Sequence, residues 1–324
     1  MDNKTLFVAG ATGLAGTSVI KHVLAQYPKT RIKASFYKHT KPFIRDKRIA
    51  YVYGDLRSEK QCRQICKGCD CAIMVAANSV GAGAATVYSW EQMYDNVIMN
   101  IQMFQAFYRE HINRVVFVGS ATVYQEYIGH IKEEQLDLNH APHQNYFGVG
   151  WAFRFIEKVC QFWNMHSGME IVVARVSNIF GPYAKFNPKT SNFIPAIIRK
   201  AVDKMDPFEV WGSPGVTRDV VYSEDFARAI ALMMNDDLIK HETFNIGSGV
   251  KTTVREVVTL ALKHAGHIPK KIKYNSREPS TIPFRALDCA KAKSILQWQP
   301  QYSVDEGISM TTQWWIENKR RWKK

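Results

Sequence analysis

The first half of the chain alternates short, almost uninterrupted apolar runs with longer amphipathic segments. Runs of this length predict buried strands, and the amphipathic segments between them predict helices. The predicted strands are Leu6–Ala9, Ile32–Tyr37, Ala50–Tyr53, Ala72–Ala76, Val115–Val118 and Ile171–Arg175. The predicted helices are Leu14–Tyr27, Trp90–His111 and Tyr146–His166. Strands without polar alternation, separated by helices, indicate a parallel sheet that is covered on both faces.

Beyond residue 180 the pattern changes to segments that are interrupted by glycine and proline. Helical periodicity returns at Asn192–Val202, Ser223–Met234 and Thr253–His264. We therefore predict an α/β fold: a Rossmann-type doubly wound parallel sheet with a smaller C-terminal α+β lobe. The sheet domain is expected to span residues 1–178 with a returning segment at 219–247, and the lobe residues 179–218 and 248–324.

Composition and charge limit the class of partner. The 324 residues are 46% hydrophobic and 22% charged, which is typical of a globular protein. No stretch is apolar enough for a membrane-spanning helix, and the start M-D-N-K does not resemble a secretion signal, so we expect a cytoplasmic protein. The net charge of +14 is spread along the chain and is dense only in the tail K-R-R-W-K-K. It favours anionic small ligands, and neither nucleic-acid nor membrane partners are expected.

Four of the six cysteines form the cluster C-x-x-x-C-x-x-C-x-C between Cys62 and Cys71. The first two fall on a predicted helix, the third in a turn and the fourth at the start of a strand. Thiolates placed in this way do not converge on a tetrahedral metal ion. No metal site is predicted, and we interpret the cysteines as small apolar core residues.

A glycine-rich loop follows the first predicted strand and precedes the first predicted helix. It reads Gly10-Ala-Thr12-Gly13-Leu14-Ala-Gly16. Glycines at this spacing allow a tight turn, a close approach of the backbone to a pyrophosphate and close helix–strand packing. The free N–H groups of the following helix attract the same phosphates. The sequence therefore predicts a dinucleotide-binding loop.

The spacing G-x-x-G-x-x-G resembles that of the extended short-chain dehydrogenases/reductases, the NAD-dependent epimerase/dehydratase family, and the resemblance covers nearly the whole chain. It implies that Asp55 and Leu56 contact the adenine. It further implies that Ala76 and Ala77, at the end of the fourth strand, and Val176, at the end of the sixth, lie beside the cofactor. Asn96 matches a structural or proton-relay asparagine on the long helix.

The choice of dinucleotide depends on the end of the second predicted strand. An acidic residue there would bind the ribose 2′-hydroxyl and repel a 2′-phosphate. This chain has Lys38 and His39 and no acidic residue at that place. NADP(H) is therefore slightly favoured over NAD(H).

The resemblance also assigns a catalytic segment and exposes a departure from it. Ser120 and Tyr146 match the hydroxyl groups that hold the sugar oxygen and transfer a proton, and Thr122 stands beside Ser120 in the same segment. The family pattern Y-x-x-x-K is replaced, because Gly150 stands where the lysine makes the tyrosine a stronger acid. Arg154 could substitute for it, ordered water could relay the proton, or activity could be low. We favour an active enzyme with an altered proton path.

Several residues match the family's substrate-binding positions. The stretch from Arg175 to Pro182 resembles R-x-x-N-x-Y-G-P, in which the asparagine, here Asn178, lies between cofactor and substrate phosphates. Arg218 and Arg277 match two arginines that bind the substrate diphosphate, a role that suits the planar guanidinium. The implied partner is a nucleotide-diphosphate sugar.

Three stretches, A-N-S-V-G-A-G-A, K-F-N-P-K-T-S-N-F-I-P-A-I-I-R-K and V-W-G-S-P-G-V-T-R-D, point to one group within the family. In them the chain resembles most the GDP-L-fucose synthase-like reductases. That likeness adds Val80, Asn192, Lys200 and Trp211 to the substrate site, and it favours a GDP-linked sugar. The cysteine and histidine that epimerise the sugar in that group correspond to Thr122 and Asn192, and neither is a general base at neutral pH. The Asp-Glu pair of the dehydratases is replaced by Ala121 and Thr122. The expected reaction is therefore hydride transfer alone, at C4 of a deoxyhexose or heptose, in capsule- or lipopolysaccharide-type sugar biosynthesis.

Two other functions remain open from the sequence. One is a C4-epimerase with tightly bound NAD, which needs only the serine, the tyrosine and the cofactor. The other is a catalytically weak dinucleotide-binding or scaffold protein, suggested by Gly150. The family pairs two long helices across a two-fold axis, so we expect a homodimer through helices 90–111 and 146–166.

Overall fold

The computed structural model describes residues 1–37, 42–79, 89–275 and 285–322. A seven-stranded sheet forms its centre, and each pair of neighbouring strands in it is parallel. Its strands are β1 (Thr5–Ala9), β2 (Arg31–Phe36), β3 (Ile49–Tyr53), β4 (Cys71–Met74), β5 (Arg114–Ser120), β7 (Glu170–Val176) and β12 (Thr243–Ile246). They are ordered β12-β7-β5-β4-β1-β2-β3. The predicted Rossmann-type fold is confirmed.

Helices cover both faces of this sheet, and further helices belong to the C-terminal lobe. They are α1 (Leu14–Gln26), α2 (Glu59–Cys66), α3 (Ser89–Arg109), α4 (Phe147–Ser167), α5 (Phe193–Val202), α6 (Ser223–Asn235), α7 (Val254–Ala265), α8 (Ala290–Ile295) and α9 (Val304–Trp322). In β1, Leu6 and Val8 belong to the core shared with α1 and α6, whereas Phe7 and Ala9 belong to the core shared with α2, α3 and α4. Alternate residues of one strand therefore enter opposite layers, as expected for a doubly wound sheet.

A third core lies in the C-terminal lobe. It joins α5, α7 and α9 to short strands. The remaining strands are β6 (Gly129–Ile131), β8 (Asn178–Phe180), β9 (Phe208–Trp211), β10 (Thr217–Arg218), β11 (Val220–Tyr222), β13 (Thr252–Thr253), β14 (Ile272–Asn275) and β15 (Arg285–Leu287). They pair as β6–β15, β8–β11, β9–β14 and β10–β13. The domain boundaries given above stay a prediction, and β12 lies inside their returning segment.

Two helices begin one residue later than predicted, because the residue predicted to start each of them is its N-cap. The helix predicted from Tyr146 begins at Phe147, because Tyr146 ends a single 3-10 turn and serves as the N-cap of α4. The helix predicted from Thr253 begins at Val254, since the Thr253 hydroxyl accepts from the Glu256 backbone N–H in a capping box. In the described part of the chain, none of the helices is both long and apolar enough to cross a membrane.

Candidate active site

The glycine-rich loop leaves the carboxyl end of β1 in a conformation that requires two of its glycines. Gly10 has a φ of +80°, and a Cβ placed there would lie 2.7 Å from the Cα of Ala76. A Cβ on Gly16 would lie 2.3 Å from the carbonyl oxygen of Gly10. A side chain at position 10 would push the loop away from the residue Ala76 after β4, and one at position 16 would push α1 away from the loop. The close approach of these segments explains why glycine stands at positions 10 and 16 and why a small residue stands at position 76.

The N-terminus of α1 is open towards the loop. Gly13 is its N-cap and gives no side-chain hydrogen bond, and no acidic residue lies in its first turn. A Cβ on Gly13 would meet only the Gly10 carbonyl oxygen, at 3.7 Å. A helix N-terminus without a capping side chain and without acidic neighbours fits a phosphate group. Thr12 lies between the two glycines, and Leu14 packs against the core of the lobe, so the loop lies between sheet and lobe.

The predicted adenine contacts lie beside an arginine that sequence reasoning missed. Arg57 donates to both carboxylate oxygens of Asp55 and to Asp95 on α3, and this pairing lowers the pKa of Asp55. The Arg57 guanidinium carbon lies 5.4 Å from the ring centroid of Tyr37, just after β2. Leu56 is buried. A cationic group therefore stands near the end of β2 although its charge is shared with two carboxylates.

Asn96 has a structural place in this geometry. Its side chain is buried, accepts from the backbone N–H of Asn78 and donates to the carbonyl oxygen of the same residue. These two bonds fix the chain as it leaves β4, immediately after Ala76 and Ala77. These contacts support a structural role for Asn96 over a role in proton relay.

One small cleft at the carboxyl edge of the sheet brings together the three predicted catalytic residues and two of the seven predicted substrate residues. It has a volume of about 110 Å³. The predicted residues that line it are Ser120, Thr122, Tyr146, Val176, Asn178 and Arg218. Sequence reasoning missed further lining residues, namely Ala121, Ser177, Thr217, Asp219, Ala286 and Leu287. Ser177 differs from the others because its buried hydroxyl has no hydrogen-bond partner among the residues that the structure describes.

The hydroxyl of Ser120 is held by its neighbour. Ser120 Oγ accepts from the backbone N–H of Thr122 at 3.2 Å and from Thr122 Oγ1 at 3.0 Å. With both bonds accepted, the Ser120 proton is available for donation to a substrate oxygen. Thr122 therefore orients Ser120.

Gly150 is buried without room for a side chain. A Cβ there would lie 2.6 Å from the Cβ of Pro142 and 2.7 Å from the carbonyl oxygen of Thr122. Contacts this short are not tolerated without movement of the backbone. Pro142 and Thr122 fill the place where a lysine side chain would begin, which leaves no room for water at that point, and the water relay stays a hypothesis.

Arg154 is held by backbone carbonyl groups. Its side chain donates at 2.6 Å to the carbonyl oxygens of Val123 and His140, and its guanidinium carbon lies 4.7 Å from the ring centroid of Trp151. Burial lowers the pKa of Arg154. These contacts fix the loops before α4, and they argue against the hypothesis that Arg154 substitutes for the lysine.

Arg218 is the cationic residue that shares the cleft with Tyr146. Its side chain donates to the carbonyl oxygen of Thr217 at 2.8 Å. Burial lowers the pKa of Arg218, and the charge interaction with Tyr146 acts in the opposite direction. The His143 ring also lies near, with its centroid 6.1 Å from that of Tyr146.

The carboxylate of Asp219 ties the cleft to the lobe. It accepts from the backbone N–H groups of Ser248 and Leu287 at 2.8 and 2.9 Å, from the Ser248 hydroxyl at 3.0 Å and from the Gly249 N–H at 3.4 Å. Burial raises the pKa of Asp219. The side chain therefore links the chain next to Arg218 to the segments at residues 248–249 and 287.

A buried polar network holds the segment that follows Ser120 in place. The Tyr124 hydroxyl donates to Asn245 Oδ1 at 2.7 Å and accepts from Arg175 at 3.0 Å, and burial raises the pKa of Tyr124 to about 12. Arg175 also forms an ion pair with Glu157 of α4. Strand β7, helix α4 and strand β12 are thus fixed to the segment that carries the predicted catalytic hydroxyl groups of Ser120 and Thr122.

Other predicted substrate residues lie away from the cleft. Lys200 donates to the carbonyl oxygen of Glu209 at 2.8 Å, and its ammonium nitrogen lies 5.9 Å from the ring centroid of the exposed Trp211. Burial lowers the pKa of Lys200. Asn192 is exposed at the N-cap of α5. The predicted positions Lys38, Val80 and Arg277 lie outside the described residues.

The cysteine cluster is buried. Desolvation raises the pKa of Cys62, Cys66 and Cys71 to about 12 and that of Cys69 to about 11. Within the described ranges, no group of three or more histidine, cysteine, aspartate or glutamate side chains is placed to hold a metal ion. These thiols therefore behave as core groups.

A larger groove, of about 860 Å³, lies between residues 288–305 and the segment 248–260. Of its lining residues only Leu287 also lines the cleft. Among the predicted catalytic and substrate residues that lie in the described ranges, none borders this groove, so the small cleft is the candidate active site.

Sequence comparison finds similar proteins along nearly the full length of the chain. GDP-L-fucose synthase of Sinorhizobium fredii is 26% identical over 330 residues, which cover 98% of this chain and 97% of the relative. GDP-L-fucose synthase of Escherichia coli is 23% identical, with both chains covered completely.

Solved structures show the same fold. UDP-glucose 4-epimerase of Thermotoga maritima superposes with a TM-score of 0.85 at 18% identity, covering 97% of this chain and 99% of that one. A GDP-L-fucose synthetase from Naegleria fowleri bound to NADP gives a TM-score of 0.81 at 21% identity, with 99% and 96% covered. The model of the NAD dependent epimerase/dehydratase family matches residues 6–247. The chain belongs to the NAD-dependent epimerase/dehydratase family.

Proposed function

We propose that the protein is an NAD(P)-dependent oxidoreductase that transfers a hydride at C4 of a nucleotide-diphosphate sugar, in capsule- or lipopolysaccharide-type sugar biosynthesis. The observation that carries the proposal is the convergence of Ser120, Tyr146 and Arg218 on one cleft at the carboxyl edge of the sheet. The glycine loop lies at the same edge, after β1. In open α/β sheets this edge is where ligands bind.

The residues of the cleft suit a proton and hydride exchange at a sugar carbon. The bound dinucleotide would supply or accept the hydride. Ser120 would hold the sugar oxygen through its free proton, and the Tyr146 hydroxyl would donate or accept the proton of that oxygen. Arg218 would interact with the substrate diphosphate.

The same cleft supports hydride transfer without epimerisation or dehydration. Thr122 donates to Ser120, and Asn192 is exposed at the N-cap of α5, outside the cleft. Neither side chain is a general base at neutral pH. Ala121, where a dehydratase acid would stand, is buried and apolar.

We propose NADP(H) as slightly preferred over NAD(H). Support comes from Lys38 in the sequence and from Arg57, whose guanidinium lies over Tyr37 near the end of β2. Arginine is suited to a 2′-phosphate. For the substrate we propose a GDP-linked sugar, supported by the full-length similarity to GDP-L-fucose synthases.

We also propose a homodimer through α3 and α4. These two helices pack against one another and expose aromatic and apolar side chains to solvent. The exposed set is Trp90, Met93, Tyr94, Tyr108, Phe147, Trp151, Phe155, Phe162 and Met165. An apolar surface of this kind on a globular protein is typical of an interface.

Ligand-induced stabilisation tests the proposed binding functions. We expect NADPH and a GDP-linked 6-deoxyhexose each to raise the melting temperature, because both bind only the folded chain. The variant Arg218→Gln should lose the response to the GDP-sugar and keep the response to NADPH. An unchanged melting temperature with GDP-, UDP- and dTDP-sugars would contradict the assignment of a nucleotide-sugar enzyme. NAD that stays bound through purification and does not exchange would instead indicate a C4-epimerase.

A further inference from the structure

One segment of the C-terminal lobe lies against two loops that follow strands of the central sheet. It comprises residues 183–186, shortly after β8, and we call it the strap. Ala184 and Phe186 are buried in the core of the lobe. The alternate side chains, Tyr183 and Lys185, contact residues outside that core. The strap therefore joins the lobe to the part of the chain that forms the sheet.

The first contact of the strap is aromatic. The Tyr183 ring packs on Phe43, in the loop after β2, with the ring centroids 5.0 Å apart. Trp314 of α9 contacts both rings, with its centroid 5.2 Å from that of Tyr183 and 5.7 Å from that of Phe43. Tyr183 has a φ of +71°, in the left-handed region that bulky residues rarely adopt. Such a backbone persists only where its surroundings hold it, so these aromatic contacts fix the strap.

The second contact of the strap is polar and lies on the other side of the glycine-rich loop. Lys185 Nζ donates to the carbonyl oxygen of Ser79, in the chain after β4, at 2.8 Å. In the sheet, β1 lies between β4 and β2, and the glycine-rich loop follows β1. Leu14, at the end of this loop, packs against the lobe core that contains Phe186. The strap thus crosses the place where the sequence predicts the pyrophosphate of a dinucleotide.

We propose that the strap controls the exchange of the dinucleotide: the contacts of Tyr183 with Phe43 and of Lys185 with Ser79 keep it closed, and a dinucleotide enters or leaves only when they open. The inference rests on the proposed function in placing a dinucleotide on the glycine-rich loop. Both contacts join protein groups alone, so they form over an empty site as well as over an occupied one. Opening of the strap therefore limits association and dissociation alike.

Stopped-flow binding of NADPH, and separately of NADH, tests the strap. The fluorescence of the reduced nicotinamide gives the association rate over a concentration series, and a chase with excess oxidised dinucleotide gives the dissociation rate. Tyr183→Ala and Phe43→Ala remove the ring contact from either side, and Lys185→Met removes the bond to Ser79. The controls are Tyr183→Phe, which keeps the ring, and Lys189→Met, which removes an exposed lysine four positions further along. Circular dichroism confirms that each variant is folded.

We expect each of the three contact variants to raise the association and dissociation rates together, by about fivefold or more, and to change the Kd by less than about twofold. The double variant Tyr183→Ala/Phe43→Ala should be no faster than the faster single variant, because both changes remove one contact. The controls should keep the wild-type rates. Unchanged rates in the contact variants, or faster dissociation with unchanged association, would overturn the strap alone. Wild-type protein that binds neither dinucleotide would refute the proposed function as well.

Discussion

At the scale of single residues, the most informative position is Gly150. The sequence has glycine where the family resemblance predicts a lysine, and in the structure a side chain at this position would clash with its neighbours. The neighbours that fill the site, Pro142 and the Thr122 carbonyl, come from the loop before α4 and from the segment that carries Ser120. The glycine at position 150 is thus part of the packing of the loops that border the cleft.

Introducing a side chain at position 150 should therefore harm the protein. We expect Gly150→Ala to lower the free energy of unfolding by about 1–3 kcal/mol, because overpacking forces neighbouring backbone to move. Gly150→Lys, which restores the family pattern, should lower the rate of hydride transfer instead of raising it. The control is Gly215→Ala, where a Cβ meets no atom within 4 Å. Chemical denaturation and initial rates provide the measurements, and a more active Gly150→Lys would contradict the steric explanation.

A second residue-scale prediction concerns Asp219. In Asp219→Asn one carboxylate oxygen becomes an NH₂ group that faces N–H donors, so we expect a loss of about 1–3 kcal/mol of stability. Burial raises the pKa of Asp219 in the folded state, so its contribution is complete below the unfolded-state pKa and declines as pH rises through the folded-state value. The difference in unfolding free energy between wild type and variant should narrow over that range. A difference that widens with pH would show that folding lowers the pKa of Asp219 instead of raising it.

At the scale of elements, α3 and α4 combine two tasks. Their inner faces form a sheet core, and α4 also carries Tyr146 at its N-cap and Glu157, which pairs with Arg175. Their outer faces expose the aromatic set described above. An interface on these faces would lie directly behind the elements that position the cleft.

The proposed interface predicts the effect of one charge. Phe155, on α4, is 48% exposed, and Ile316, on α9, is 41% exposed. We expect Phe155→Glu to weaken dimerisation at least about tenfold, because a carboxylate would be buried against apolar side chains. The matched variant Ile316→Glu should leave the dimer intact. Sedimentation velocity over a concentration series measures both, and a monomeric wild type would refute the interface.

At the scale of the whole molecule, the sequence predicts what depends on local pattern. The sheet, the loop Gly10–Gly16 and the order of the long helices follow from apolar periodicity and glycine spacing. Contacts between distant segments are not encoded in that way: the β9–β14 pair, the closure of Gly150 by Pro142 and the bonds of Arg154 to two loop carbonyls required the folded chain. Arg218 and Tyr146 are 72 positions apart in the sequence, and only the folded chain shows that they line the same cleft.

The most direct test of the function is the fate of a labelled hydride. The protein is incubated in ordinary water with a GDP-4-keto-6-deoxyhexose and NADPH that carries deuterium at the transferred position, and the sugar product is examined by NMR. We predict deuterium at C4 of the product, strongly reduced formation of that product by Tyr146→Phe, and unchanged configuration at C3 and C5. Absence of deuterium at C4 with both ligands bound, or inversion at C3 or C5, would contradict hydride transfer at C4 as the reaction of this protein.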